Sequence, residues 1–231
     1  MLKIFRPIQS NYLGQGFGEN KACVNDAGQV LTKTGLTCPV GYKGLYESVG
    51  MLGHNGEDWN AWRGEPIYHA GNFEGIADIS EDAKGGIGVD IFSTEEVGLA
   101  PVARVLGLDS VPAKAFVKIR YWHLKSVAVP DKSLVKPGQI IGYADNTGLS
   151  SGDHLHWSLR LTEGLPGRDS SWRTLNTENG YTGSIDFRPW FTNTFVLDLP
   201  RIEGELVKAQ LTLIDLLKKM IFELTQRIRS R

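Results

Sequence analysis

Two segments restrict what this chain can fold into. In AFVKIRYWHL (115–124), Lys118 and Arg120 alternate with Val117, Ile119 and Tyr121, and HLHWSLRL (154–161) alternates in the same way. A period of two places alternate side chains on opposite faces of a strand. Both segments therefore predict half-buried antiparallel strands. Further strands are expected at PIYHA, GNFEGIADIS and GGIGVDIFS between residues 65 and 93, and after the Pro-Gly turn in VKPGQIIGYA. Eight glycines scattered over residues 1–50 predict loops and short strands there. Residues 162–184 are polar and Gly-rich and predict a surface loop. SIDFRPWF, which follows, is expected to pack its aromatics back onto the domain. The fold class is mainly β, an antiparallel sheet with a groove.

After Pro200 the pattern changes. From Glu205 to Arg229 there is no Gly and no Pro. Val207, Ile214, Leu217, Ile221, Leu224 and Ile228 recur at three–four spacing, with Gln210 in one slot. This predicts an amphipathic C-terminal α-helix with coiled-coil spacing. The organisation expected is a domain over 1–195, a linker over 196–202 and the helix over 203–231. The helix could dock on its own domain or self-associate. Gly204 and Pro200, which separate it from the domain, favour self-association.

The 231 residues carry a formal net charge of -1, and no nucleotide loop or basic aromatic patch is present, which argues against a nucleic-acid partner. No apolar run is long enough for a transmembrane span, and MLKIFRPIQS has no signal-peptide pattern. Cys23 and Cys38 could close a disulfide or remain thiols, and neither has zinc-knuckle spacing.

Four of five histidines fall into groups that suit a metal. In Gly53-His54-Asn55-Gly56-Glu57-Asp58, an imidazole and a carboxylate lie four apart with a glycine between them. That glycine lets the backbone bend so that the two side chains converge. In His154-Leu155-His156 the two imidazoles share one strand face. A catalytic zinc site needs about three protein ligands, an open position and proton-handling groups nearby. His54, Asp58 and one histidine of the pair would supply the ligands. The other histidine of the pair and His123 would remain for acid–base work. His69 fits no group and reads as structural. Trp59, Trp62, Trp122 and Trp157 lie beside these groups in sequence and could line a groove or fill the core.

The order Gly-His-x-Gly-x-Asp (53–58), Tyr-x-His-Leu (121–124), Gly-Gln-x-x-Gly (138–142) and His-Leu-His (154–156) resembles the lysostaphin-type zinc endopeptidases. Phe17-Gly18, Thr147-Gly148, Ser150-Ser151-Gly152 and the segment from Ile185 to Trp190 extend the resemblance over residues 7–192. It implies a zinc-dependent peptidase acting on peptide bonds of bacterial peptidoglycan. One Zn2+ per chain would be held by His54, Asp58 and His156, with His123 and His154 as the catalytic pair. It also implies action at the cell wall, whether extracellular, periplasmic or virion-associated. A non-catalytic scaffold or activator and a structural part of a phage particle are the alternatives, and the motif order argues against an amidase. The sequence departs from the family pattern at Trp59-Asn60-Ala61, at Asp153 before His154, and in long loops at 19–50 and 162–184.

Overall fold

The computed structural model describes residues 1–24, 44, 46, 49–164 and 173–198. Two compact units divide the chain, Met1–Val196 and Leu197–Arg231. The expected amphipathic helix and its self-association lie outside the described residues, as does Cys38. Cys23 is buried and disulfide-bonded. No helix among the described residues is long and apolar enough to cross a membrane.

The first unit is built from β-strands in the order β1 (Ile4–Arg6), β2 (Leu13–Gln15), β3 (Glu57–Asn60), β4 (Pro66–Tyr68), β5 (Gly75–Asp82), β6 (Gly86–Ser93), β7 (Val97–Gly98), β8 (Lys114–Val127), β9 (Leu134–Val135), β10 (Ile140–Ala144), β11 (His154–Glu163), β12 (Arg173–Thr174), β13 (Ser184–Ile185) and β14 (Phe191–Phe195). The main path of the large sheet runs β2-β3-β11-β8-β6-β5-β9, with antiparallel pairings along it. A second, two-stranded sheet pairs β1 with β14 in parallel. The chain therefore returns from residue 191 to close against its own beginning.

The two alternating segments are β8 and β11, the centre of the sheet. They pair from Trp122 opposite His156 to Phe116 opposite Thr162. One face carries Val117, Ile119, Tyr121, Leu155, Trp157, Leu159 and Leu161, all 2 % exposed or less, and forms the apolar core. Trp157 packs at 4.4 Å from Phe187, so SIDFRPWF folds back as expected. The Tyr121 hydroxyl accepts the Ala70 amide at 2.8 Å.

The opposite face departs from the half-buried expectation. Lys118, Asp90, Arg160, Ser158 and Thr162 are all buried on it. Part of the cover is residues 179–184, expected to be surface loop. There Asn179 Nδ2 donates to the Ser184 carbonyl, and Tyr181 and Ser184 are buried. Alternation records which side chains are polar. It does not record what a later loop lays over them.

A buried charge is tolerated when it is paired. Asp90 accepts Arg120 Nε and Nη2 at 2.7 Å each and lies 3.3 Å from Lys118 Nζ. Burial alone would raise the Asp90 carboxyl. The Arg120 and Lys118 charges outweigh it and hold the pKa down at about 2. The folded pKa lies below the unfolded value of about 3.9. The stabilisation is therefore complete above that value and lost as pH falls through about 2. Asp90→Asn is expected to destabilise the fold at pH 7 by about 3–5 kcal/mol, since a buried counter-charge to Arg120 and Lys118 is removed. In urea denaturation the gap between wild type and variant should narrow between pH 4 and pH 2.

Candidate metal centre

Three strands and one loop bring the motif residues together. Asp58 on β3 lies directly opposite His156 on β11, and His54 stands four residues ahead of Asp58. His54 Nε2, Asp58 Oδ1 and His156 Nδ1 form a triangle with sides of 3.0, 3.2 and 2.8 Å. Among the described residues this is the group of three able to hold a metal ion.

The donor chemistry fits a cation. His54 Nδ1 lies 3.2 Å from the Gly16 carbonyl. A carbonyl only accepts, so Nδ1 carries the proton and Nε2 presents a lone pair. His156 Nε2 is buried without a partner. With its proton on Nε2, His156 Nδ1 adds a third lone pair facing the other two. With the proton on Nδ1, a lone pair is buried without a donor. A divalent ion at the triangle resolves either case. Zinc ligands at about 2.0–2.1 Å in a tetrahedron sit about 3.3 Å from one another, within a few tenths of an ångström of these sides. The Gly16 carbonyl is the kind of outer partner that fixes the ring of a metal-binding histidine.

Electrostatics agrees. Burial works to raise the Asp58 carboxyl, but hydrogen bonds and charge from His156 and His54 hold it below the usual carboxylate range. Burial pulls His156 down to about 4, so at neutral pH the ring is uncharged, as a metal ligand must be.

Each glycine of the first motif has a packing reason. A Cβ on Gly56 would lie 2.5 Å from the Trp157 carbonyl oxygen and 2.7 Å from His156 Cε1. The backbone of the 54–58 turn rests on the edge of the His156 ring, and only a hydrogen fits there. A Cβ on Gly53 would crowd the Gly18 and Glu19 carbonyls at 3.0 Å.

His123 reaches the centre through an irregularity in β8. Its φ is +62°, in the left-handed region, which histidine tolerates better than most residues. β8 pairs with β11 as far as Trp122, then with β10 from Leu124, and the register against β6 shifts at the same place. In a regular strand His123 would face away from Trp122. The bulge puts both on the metal side. The Trp122 ring stacks at 5.5 Å from His156, and His123 lies 4.6 Å from His154.

The catalytic candidates are oriented alike. His123 Nδ1 donates to the Thr147 carbonyl at 2.7 Å and His154 Nδ1 to the Gly152 carbonyl at 2.8 Å. In the neutral rings Nε2 is then the acceptor. His154 Nε2 stands 3.6 Å from Asp58 Oδ1. Burial lowers the His123 pKa. The Thr147 carbonyl is held by close backbone approach: at Gly148, with φ +75°, a Cβ would meet the Gly86 nitrogen at 2.2 Å.

All five expected residues therefore lie together. His69 lies apart, buried, with Nε2 2.8 Å from the Phe73 carbonyl, as a structural histidine would. Trp59 and Trp157 belong to the core, Trp122 to the centre, and Trp62 is exposed. Trp59, a departure in the motif, packs on Phe191 and donates to Glu57 at 2.9 Å. Asp153 lies 3.4 Å from Arg63 Nη2. Sequence reasoning missed the three carbonyls, because any residue supplies one. It also missed Tyr46, whose ring stacks at 5.9 Å from His54 and whose hydroxyl accepts Gln15 Nε2 at 2.8 Å.

Such a His-Asp-His group on an antiparallel sheet could hold a metal ion. Residues 110–166 match the model described as peptidase family M23. The matched segment, about a quarter of the chain, contains His123, His154 and His156. His54 and Asp58 join it only in three dimensions. No curated protein matches the chain. Among solved structures it is similar to a zinc-containing peptidase from Vibrio cholerae at 22% identity, over 66% of this chain and 35% of that one, with a TM-score of 0.43. It is similar to the catalytic domain of lysostaphin from Staphylococcus simulans at 21% identity, over 66% and 84%, with a TM-score of 0.41. A third is the catalytic domain of the prophage-encoded M23 protein EnpA from Enterococcus faecalis, at 21% identity, over 70% and 92%, with a TM-score of 0.38. The chain thus spans about a third of the first of these proteins.

If the group holds a divalent ion, Gly56→Ala is expected to weaken its binding about 10–100-fold, the range for groups that support a ligand, while the fold persists. Competition titration against a chromophoric chelator, with circular dichroism alongside, would measure both.

Proposed function

We propose that the chain is a zinc-dependent endopeptidase that hydrolyses peptide bonds in bacterial peptidoglycan. The observation that carries this reading is the convergence of His54 Nε2, Asp58 Oδ1 and His156 Nδ1 beside two histidines with matching ring orientation. The M23 match supports the reaction class. His54, Asp58 and His156 would hold the zinc, which would supply a Lewis acid for the scissile carbonyl and its attacking water.

The remaining work falls to the chain's own side chains. His154 Nε2 accepts the proton of the attacking water. The Gly152 carbonyl keeps that proton-accepting nitrogen pointed away from the backbone, and Asp58 beside it stabilises the imidazolium that forms. His123 enters neutral, because burial disfavours its charged form. With Nδ1 committed to Thr147, its Nε2 can hydrogen-bond the developing oxyanion only after taking up a proton. The proton taken by His154 passes to His123, whose Nε2–H then hydrogen-bonds the oxyanion; as the carbonyl re-forms and the C–N bond breaks, that proton goes to the leaving amine.

Replacing His54, Asp58 or His156 by Ala should abolish both zinc retention and wall clearing. His154→Ala and His123→Ala should keep one zinc per chain and lower turnover about 100-fold or more, the range for a positioned acid or base. Elemental analysis beside clearing of purified walls checks this. Full activity of His154→Ala would remove it from the mechanism. Zinc bound without clearing of any wall type would point to a binding role instead.

A further inference from the structure

Three of the four histidines at the centre have a carbonyl partner that fixes the ring. His54 Nδ1 faces the Gly16 carbonyl, His123 Nδ1 the Thr147 carbonyl and His154 Nδ1 the Gly152 carbonyl. His156 has no such partner among the described residues. Its Nδ1 belongs to the triangle, 2.8 Å from Asp58 Oδ1 and 3.0 Å from His54 Nε2, and its Nε2 is buried without a hydrogen bond. A metal-binding histidine almost always has an outer partner on its second nitrogen, and that partner sets the ring orientation. For His156 some other contact has to do so.

Two contacts bound the ring. Gly56 lies against its edge, where a Cβ would meet Cε1 at 2.7 Å and Nε2 at 2.8 Å. Trp122 lies against its face. The two residues are directly opposite each other in the β8–β11 register, and their rings stack at 5.5 Å with planes 29° apart.

The indole is itself wedged in place. A Cβ on Gly85 would lie 2.5 Å from Trp122 Cε2 and 2.8 Å from Nε1, and one on Gly88 would lie 2.4 Å from Cδ1. The backbone of the β5–β6 hairpin therefore rests on the indole with no side chain between them. Arg120 Cζ lies over the Trp122 ring at 4.6 Å from its centroid, an attractive cation–aromatic contact. Two hydrogen bonds to Asp90 hold that guanidinium still. Trp122 Nε1 is buried without a hydrogen-bond partner, whereas a buried indole usually finds one. Packing, and not a hydrogen bond, has chosen the position of this ring.

We propose that Trp122 is a positioning residue of the metal centre: its indole, wedged between the Gly85–Gly88 backbone and His156, keeps the His156 ring turned with Nδ1 toward His54 and Asp58, in place of an outer hydrogen bond. The χ2 torsion of histidine is soft. A flat wall restricts it, and an aliphatic side chain of similar bulk does not. Without the indole the imidazole turns and Nδ1 leaves the other two donors. This role rests on reading His54, Asp58 and His156 as metal ligands, and not on which bond the chain cuts.

The test is binding of Zn2+ and Co2+ to the full chain, by competition with a chromophoric chelator. The visible spectrum of the Co2+ form and the Tm of each metal-free protein are recorded alongside. Trp122→Leu, which keeps apolar bulk and loses the ring face, is expected to weaken binding about 10–100-fold, the range for outer partners of a ligand, and to alter the Co2+ spectrum. Trp122→Phe, which keeps a ring face, should stay within a few-fold of wild type. Gly85 lies outside the left-handed region, so alanine is tolerated there. Gly85→Ala drives a methyl into the indole and should weaken binding in the wild-type background. In the Trp122→Phe background the smaller ring leaves the methyl room, and the effect should vanish, the non-additivity that marks direct coupling. A merely structural Trp122 predicts a lower Tm for metal-free Trp122→Leu, with wild-type affinity and Co2+ spectrum. That result, or equal effects of Gly85→Ala in both backgrounds, overturns the proposal. If Trp122→Leu fails to fold, the Gly85→Ala comparison decides alone. Wild type that binds neither ion overturns the metal reading and this role together, whereas variants that bind as wild type does overturn this role only.

Discussion

The pairing of β8 with β11 is the constraint on which the rest of the site depends. It sets Trp122 opposite His156 and, through β3 on the far side of β11, sets Asp58 opposite the same histidine. Once that register is fixed, the ring nitrogens and the carboxylate have little freedom left. A slip by one residue would turn every side chain of β11 to the other face. His156 would enter the apolar layer, and Leu155 and Trp157 would face the polar side. The apolar core and the metal centre are thus two readings of one register. The burial of Val117, Ile119, Tyr121, Leu155, Trp157 and Leu159 enforces the alignment that chemistry needs.

The departure from regularity at His123 has equal weight. A strand delivers a side chain to one face only at every second residue. The centre takes two neighbours, Trp122 and His123, from one strand. The bulge meets that need, and the left-handed backbone at His123 is its local cost. The glycines serve the same end by subtraction. Gly56 leaves room for the His156 ring, and Gly148 lets the Thr147 carbonyl approach His123.

Much of this was legible from residue types. Period two gave both central strands, and spacing gave the residues that converge, since i and i+2 on a strand share a face. Pairing one histidine with the metal and its neighbour with proton transfer required the family resemblance. Other features could not be read. The contact of Arg160 with Thr182 joins distant segments and carries no local pattern. The carbonyls of Gly16, Thr147 and Gly152 have no signature either. The bulge at His123 depends on β8 exchanging one neighbour for another, and the sequence around it reads as an uninterrupted strand.

The separation of the ligands along the chain has a consequence for synthesis. His156 comes 98 residues after Asp58 and 102 after His54. During vectorial synthesis the first two ligands leave the ribosome long before the third exists, and β14, which closes on β1, comes later still. Long-range pairing of this kind forms slowly. The nascent chain therefore spends most of its elongation without a complete metal site. The His-Asp-His group comes together only late in the birth of the molecule, once its last member has left the tunnel.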